Sequence, residues 1–146
     1  MFKKIACLLV PAFILAACQE RDDLRDEDSD NIKSIASALP LKERYDLYVE
    51  IYSSDIPPNK LLAKEVASLG RPAFKMAVDR ASKGNEVDIS SSIVIIDNYN
   101  ENYKSTCLEG EYMRIKSRIE RKFENAQAKD HVISRLKRAC RIGHAN

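Results

Sequence analysis

From Pro40 onward, apolar side chains recur at intervals of three and four residues, the period of amphipathic helices. Leu41, Tyr45, Tyr48, Val49 and Tyr52 fall on one face, with Pro40 suited to a first turn and Asp55-Ile56-Pro57-Pro58 closing the element. A second helix is predicted from about Pro58 to Leu69, burying Leu61, Leu62, Val66 and Leu69 before Gly70 stops it. A third, from about Pro72 to Lys83, turns Phe74, Ala77, Val78 and Ala81 inward and ends at Gly84.

Ile93-Val94-Ile95-Ile96 is β-branched and fits a buried strand as well as a helix. A lone strand in a helical chain would carry unpaired edges. Ile89, Ile93, Ile96 and Tyr103 also share a helical face beginning after Asp88, which predicts a helix with Ser90, Ser91 and Ser92 on its polar side. Two further stripes follow, Leu108, Tyr112, Ile115, Ile119 and Phe123 in one helix and Val132, Ile133, Leu136, Ala139 and Cys140 in the next. Residues 125 to 130 connect them, with Asp130 as the expected N-cap. The pattern is that of an all-α fold, a compact bundle of about five to six short antiparallel helices over residues 39–146.

Before Pro40 the pattern changes. Lys3 and Lys4 precede an apolar run from Ile5 to Leu15, and Gln19, Glu20, Arg21, Asp22 and Asp23 end it well short of the ~20 residues a membrane span requires. Leu15-Ala16-Ala17-Cys18 matches all four positions of the lipobox, and the segment resembles a bacterial lipoprotein signal peptide. That resemblance implies a signal peptide at residues 1–17, cleavage between Ala17 and Cys18, and diacylglycerol on the Cys18 thiol with acylation (palmitate or a similar chain) of the new amino terminus. In the family's sorting pattern an aspartate after the cysteine favours the inner membrane. Gln19 stands there, so the expected location is the outer membrane, facing the periplasm. Two or three acyl chains, at roughly 0.8 kcal/mol per buried methylene, anchor stably where one would not. A second, local resemblance lies in Val66-Ala67-Ser68-Leu69-Gly70-Arg71-Pro72-Ala73, similar to the turn of a HEAT-type helical hairpin around residues 61–83, and it implies a protein-binding scaffold.

The chain has 24 basic and 22 acidic side chains, and loss of Lys3 and Lys4 with the leader would balance them. The basic excess is therefore no sign of nucleic-acid binding. Charge is unevenly placed: residues 18 to 30 hold seven acids and two bases, whereas residues 104 to 146 hold eleven bases and five acids. Residues 18–38 thus read as a lipidated, acidic, flexible tether, spanning roughly 25 Å as a flexible chain.

With Cys7 in the leader and Cys18 acylated, Cys107 and Cys140 remain. In an exported protein such a pair reads first as a disulfide. It would staple the C-terminal hairpin, and closing about 34 residues contributes roughly 3 to 4 kcal/mol in the chain-entropy model.

Little in the chain points to catalysis. His131 beside Asp130 reads as an exposed first-turn residue and His144 as a frayed end; Glu120 and Glu124 read as solvated carboxylates with basic neighbours. No metal pattern or cofactor-binding loop is found, so no cofactor is expected. The stronger candidate is a basic surface on the last two helices, Arg114, Arg118, Arg121 and Lys122 on one and Arg135, Arg138 and Arg141 on the other. It suits an envelope protein partner, an anionic lipid or a glycolipid. The expectation is an envelope-anchored lipoprotein that is not an enzyme but a helical protein-interaction module. The alternatives are an inhibitor or immunity-type lipoprotein that neutralises an envelope-active toxin or hydrolase, and a small envelope enzyme.

Overall fold

The computed structural model describes residues 29–54 and 60–142. The leader, Cys18 and His144 lie outside the described residues. Seven helices are present among those described: α1 (Ser29–Ala38), α2 (Leu41–Ser54), α3 (Lys60–Ser68), α4 (Arg71–Lys83), α5 (Glu86–Tyr103), α6 (Glu109–Lys122) and α7 (Ala126–Ala139), with no strand. The fold is all-α, and its C-terminal hairpin is closed by Cys107 and Cys140 at disulfide-bonding distance.

α1 is the helix the apolar pattern does not reveal, since these ten residues were assigned to the tether. Ile32, Ile35 and Ala36 keep helical spacing, but the run is too short among polar residues to stand out; Ala36 is fully buried and Arg44 of α2 closes the helix end. The Arg44 guanidinium donates to the Ser37 carbonyl at 2.7 Å and the Leu39 carbonyl at 3.0 Å. A cation on the exposed carbonyls of a helix C terminus satisfies orphan acceptors and opposes the helix dipole.

α5 is the centre of the bundle and packs against α2, α3, α4, α6 and α7. It buries the predicted Ile89, Ile93 and Ile96, and also Ile95, Tyr99, Ser91, Ser92 and Asn100. In its central turn Ile93, Ile95 and Ile96 are buried and Val94 is half-buried, so successive positions are covered by neighbouring helices and the run resembles a buried strand in sequence. The helical form pairs its own backbone, as a solitary strand would not. Its start precedes the predicted one by a turn. Asn85 is the N-cap: its side chain accepts the Asp88 N–H at 2.9 Å, and the Asp88 carboxylate accepts the Asn85 N–H at 3.2 Å. Asp88 is therefore the third helical residue, completing a capping box.

Other stripes hold with corrections at their ends. Phe74, Ala77, Val78 and Ala81 of α4, and Ile115, Ile119, Val132 and Leu136 of the last two helices, are buried as expected. Leu61 is 47 % exposed and Leu108 65 %, because the first begins α3 and the second precedes α6 as its N-cap. Tyr103, at the end of α5, is half exposed, with its hydroxyl donating to the Ser68 carbonyl at 3.0 Å. α7 starts earlier than predicted. Asn125, not Asp130, caps it, accepting the Ala128 N–H at 2.9 Å, so Asp130 and His131 lie within the helix. The turn between α3 and α4 requires Gly70, whose φ of 78° is a conformation side chains disfavour.

Candidate functional site

Three polar assemblies rise from this frame, and the first runs through the core. The Tyr45 hydroxyl lies 2.5 Å from Ser92 Oγ, and the Tyr48 hydroxyl donates to the Ser91 carbonyl at 3.1 Å. The serines expected on a polar face are thus interior partners for two tyrosines. Burial pushes both phenols well above the ordinary tyrosine range, despite the lowering effects of the Ser92 contact and Arg80 on Tyr45 and of Arg135 on Tyr48. The Tyr45–Ser92 pair has the spacing of a nucleophile and its base, but both residues are fully buried and the phenol holds its proton. Its chemistry is that of a satisfied core network. At the rim, the Arg80 guanidinium lies 4.5 Å from the Tyr45 ring centroid and pairs with Asp46. Partial burial works to raise the Asp46 carboxyl, but hydrogen bonds from Lys42 and Arg80 bring it below its ordinary value.

The second assembly surrounds the disulfide. Cys107, in the loop before α6, and Cys140, the C-cap of α7, have Cα atoms 4.8 Å apart, and the Cys107 N–H donates to the Cys140 carbonyl at 3.3 Å. Asn100 of α5 is fully buried beside them and donates to the Ala139 carbonyl at 2.8 Å. The hairpin's closure is therefore locked to the central helix as well as to itself.

The third assembly involves the basic residues, which the fold distributes over different neighbours. Arg118 turns toward the end of α4, where its Nε donates to the Gly84 carbonyl at 2.9 Å and its Nη2 to the Lys83 carbonyl. It serves as a side-chain cap for a neighbouring helix. A Cβ at Gly84 would collide with Asp88, so the backbone there approaches the α5 capping box too closely for a side chain. Arg114, Arg121 and Lys122 of α6 are exposed, and Arg141 is half-buried in the turn after α7 with φ 55°. Arg135 and Arg138 instead line a cleft of about 520 Å³ with Lys64 of α3 and Ile93, Val94, Asp97, Asn98 and Glu101 of α5.

Family models, curated proteins and solved structures yield no match to this chain.

Exposed His131 sits on α7; Glu120 is 3.7 Å from Lys116, one turn earlier on α6, and Glu124 is exposed. Among the described residues no cluster of His, Cys, Asp or Glu has metal-binding geometry, and no helix is long and apolar enough to cross a membrane. The periodicity did not single out Lys64, Asp97 or Glu101. The one available signal was the spacing of Asp97 and Glu101, which places two acids a single turn apart on one helix.

Proposed function

We propose that the protein is an envelope lipoprotein, anchored through an acylated Cys18, whose helical domain is a non-catalytic module that binds an envelope protein through the outer face of α6. The observation that carries the binding reading is the composition of that face. Gly110, Met113, Arg114, Ser117 and Arg121 are exposed at helical spacing, and Met113 is 50 % exposed. Neither Arg114 nor Arg121 is paired with a described acid, and neither is engaged by backbone carbonyls as Arg118 is. Met and Arg are enriched at protein interfaces, where a flexible thioether fills irregular gaps and a planar guanidinium makes several directional hydrogen bonds. Gly110 has open space where a Cβ would stand, so a partner's backbone is able to approach the helix there. The anchor rests on Leu15-Ala16-Ala17-Cys18, the export reading of the cysteine pair, and Gln19 for the outer membrane.

Photo-crosslinking in cells of the source organism tests the face. A photoreactive residue at position 113 is expected to give one discrete adduct that Arg114→Glu with Arg121→Glu abolishes, while the same residue at exposed Lys75 of α4 gives none. An adduct indifferent to charge reversal, or no adduct, overturns the binding reading. Incorporation of labelled palmitate that disappears in Cys18→Ser tests the anchor separately.

A further inference from the structure

The cleft between α3, α5 and α7 has a charge arrangement that neither the α6 face nor the fold requires. Its sides are cationic, with Lys64 on α3 and Arg135 and Arg138 on α7; Asp97 and Glu101 lie one turn apart on α5. Three cations and two acids line a single concavity, yet none of them makes an ion pair within 4.0 Å with a described residue. In the cleft the two signs face the same space from different helices without closing on each other. A ligand carrying both charges fills that space and satisfies both sets.

We infer that this cleft is a binding site for an aminoalkyl phosphate, a phosphate group joined by a short alkyl link to a primary ammonium. The phosphate is held by Arg135, Arg138 and Lys64, because guanidinium forks match phosphate oxygens and the lysine adds a third charge from another helix. The ammonium lies against Asp97 and Glu101, and the alkyl link against Ile93 and Val94. The balance fits: the lining carries a net charge of +1, and a phosphomonoester of about −1.5 to −2 with one ammonium supplies a net −0.5 to −1. Inorganic phosphate meets the same cations but is repelled by the two carboxylates. A simple amine meets the carboxylates but is repelled by the cations. At about 520 Å³ the cleft is within the range of small-ligand sites and is large for an ion alone.

The phosphate–ammonium pairing is shared by a soluble aminoalkyl phosphate and by the ethanolamine phosphate headgroup of a bilayer lipid, where the phosphate is a diester of one negative charge and the headgroup is neutral overall. The inference stands apart from the α6 interface, since no residue of one belongs to the other.

The test is a titration of the full chain carrying Cys18→Ser, followed by the amide shifts of residues 93 to 101 and 135 to 138. O-phosphoethanolamine is expected to bind at least ~5-fold more tightly than inorganic phosphate or ethanolamine, a modest ratio because the groups are exposed and screened. Asp97→Asn with Glu101→Gln should remove that preference while leaving phosphate binding intact or stronger. Arg135→Gln with Arg138→Gln should abolish both. Far-UV circular dichroism establishes that each variant is folded. In a second arm, vesicles of phosphatidylethanolamine and phosphatidylcholine are compared with phosphatidylcholine alone. Shifts with the soluble compound only, or with the ethanolamine vesicles only, assign the source, and either supports the site. Equal affinity for O-phosphoethanolamine and inorganic phosphate, or an unchanged preference in the carboxylate variant, overturns it. So does the absence of shifts in both arms.

Discussion

Ser92→Ala should destabilise the domain more than Tyr45→Phe, although each removes one end of the same 2.5 Å contact. With Ser92 shortened, the Tyr45 hydroxyl remains fully buried with its only side-chain partner gone. Leaving a buried hydroxyl unsatisfied costs about 1 to 3 kcal/mol. With Tyr45 changed to Phe, the Ser92 hydroxyl has a local recourse, because a helical serine is able to bond the carbonyl three residues earlier, here that of Ile89, the Asp88 carbonyl already accepting from Ser91 Oγ at 3.3 Å. That variant should lose only the net value of a hydrogen bond, about 1 kcal/mol or less. The double variant leaves no orphan and should resemble Tyr45→Phe, giving a coupling equal to the Ser92→Ala loss, roughly 1 to 3 kcal/mol. Urea unfolding followed by circular dichroism resolves this: with a slope of about 1 to 3 kcal/mol per molar, a loss of 2 kcal/mol moves the midpoint by roughly 1 M. Equal losses in the single variants, or additivity in the double, would refute the assignment of the serine as an interior partner.

Replacing Cys107 and Cys140 by Ala should lower stability by about 3.8 kcal/mol in the chain-entropy model for a closed loop of this length, and the melting temperature by roughly 15 °C. Calorimetry showing a drop of only a few degrees would count against it. The pH dependence has two limbs. Asp46 has a depressed folded pKa, so its contribution is present above the unfolded value of about 4 and is lost as pH falls through the folded value; Asp46→Asn should flatten the fall of the melting temperature below about pH 4. Tyr45 has a raised folded pKa, so stability is full below about pH 10 and declines above it, and Tyr45→Phe should reduce that decline by about 1.4 kcal/mol per pH unit. Gly70→Ala should cost about 1 to 3 kcal/mol by chemical denaturation, from the backbone alone, because φ 78° with ψ −149° is a region essentially restricted to glycine while the nearest atom to an added Cβ is the Tyr103 hydroxyl at an ordinary 3.6 Å.

The helices that were legible in the sequence are those with one buried face. Phe74, Ala77, Val78 and Ala81 mark α4 because its other side meets water, and the period records the contrast. α5 has no such contrast, so its serines read as surface until tyrosines from α2 are found against them. Leu61 and Leu108 show the limit at helix ends, where a residue in register with the stripe has no neighbouring helix to cover it. Asn125 and Asp130 are both competent caps, and only the observed hydrogen bond separates them. The basic residues were visible one by one. Which of them act together was not, because it depends on α6 lying beside α4 and α7 beside α5 and α6, which no local pattern encodes.

The pairing of Cys107 with Cys140 also sets how the molecule yields to force. When tension is applied between residue 29 and residue 142, the segment between the two cysteines carries none of it, because the load crosses the bond instead of following the chain. About 33 residues are withdrawn from the extensible length, roughly 110 Å at 3.3 to 3.6 Å per residue. Pulling therefore peels α1 to α5 while α6 and α7 remain a closed ring, and the face formed by Met113, Arg114 and Arg121 lies inside the part that does not lengthen.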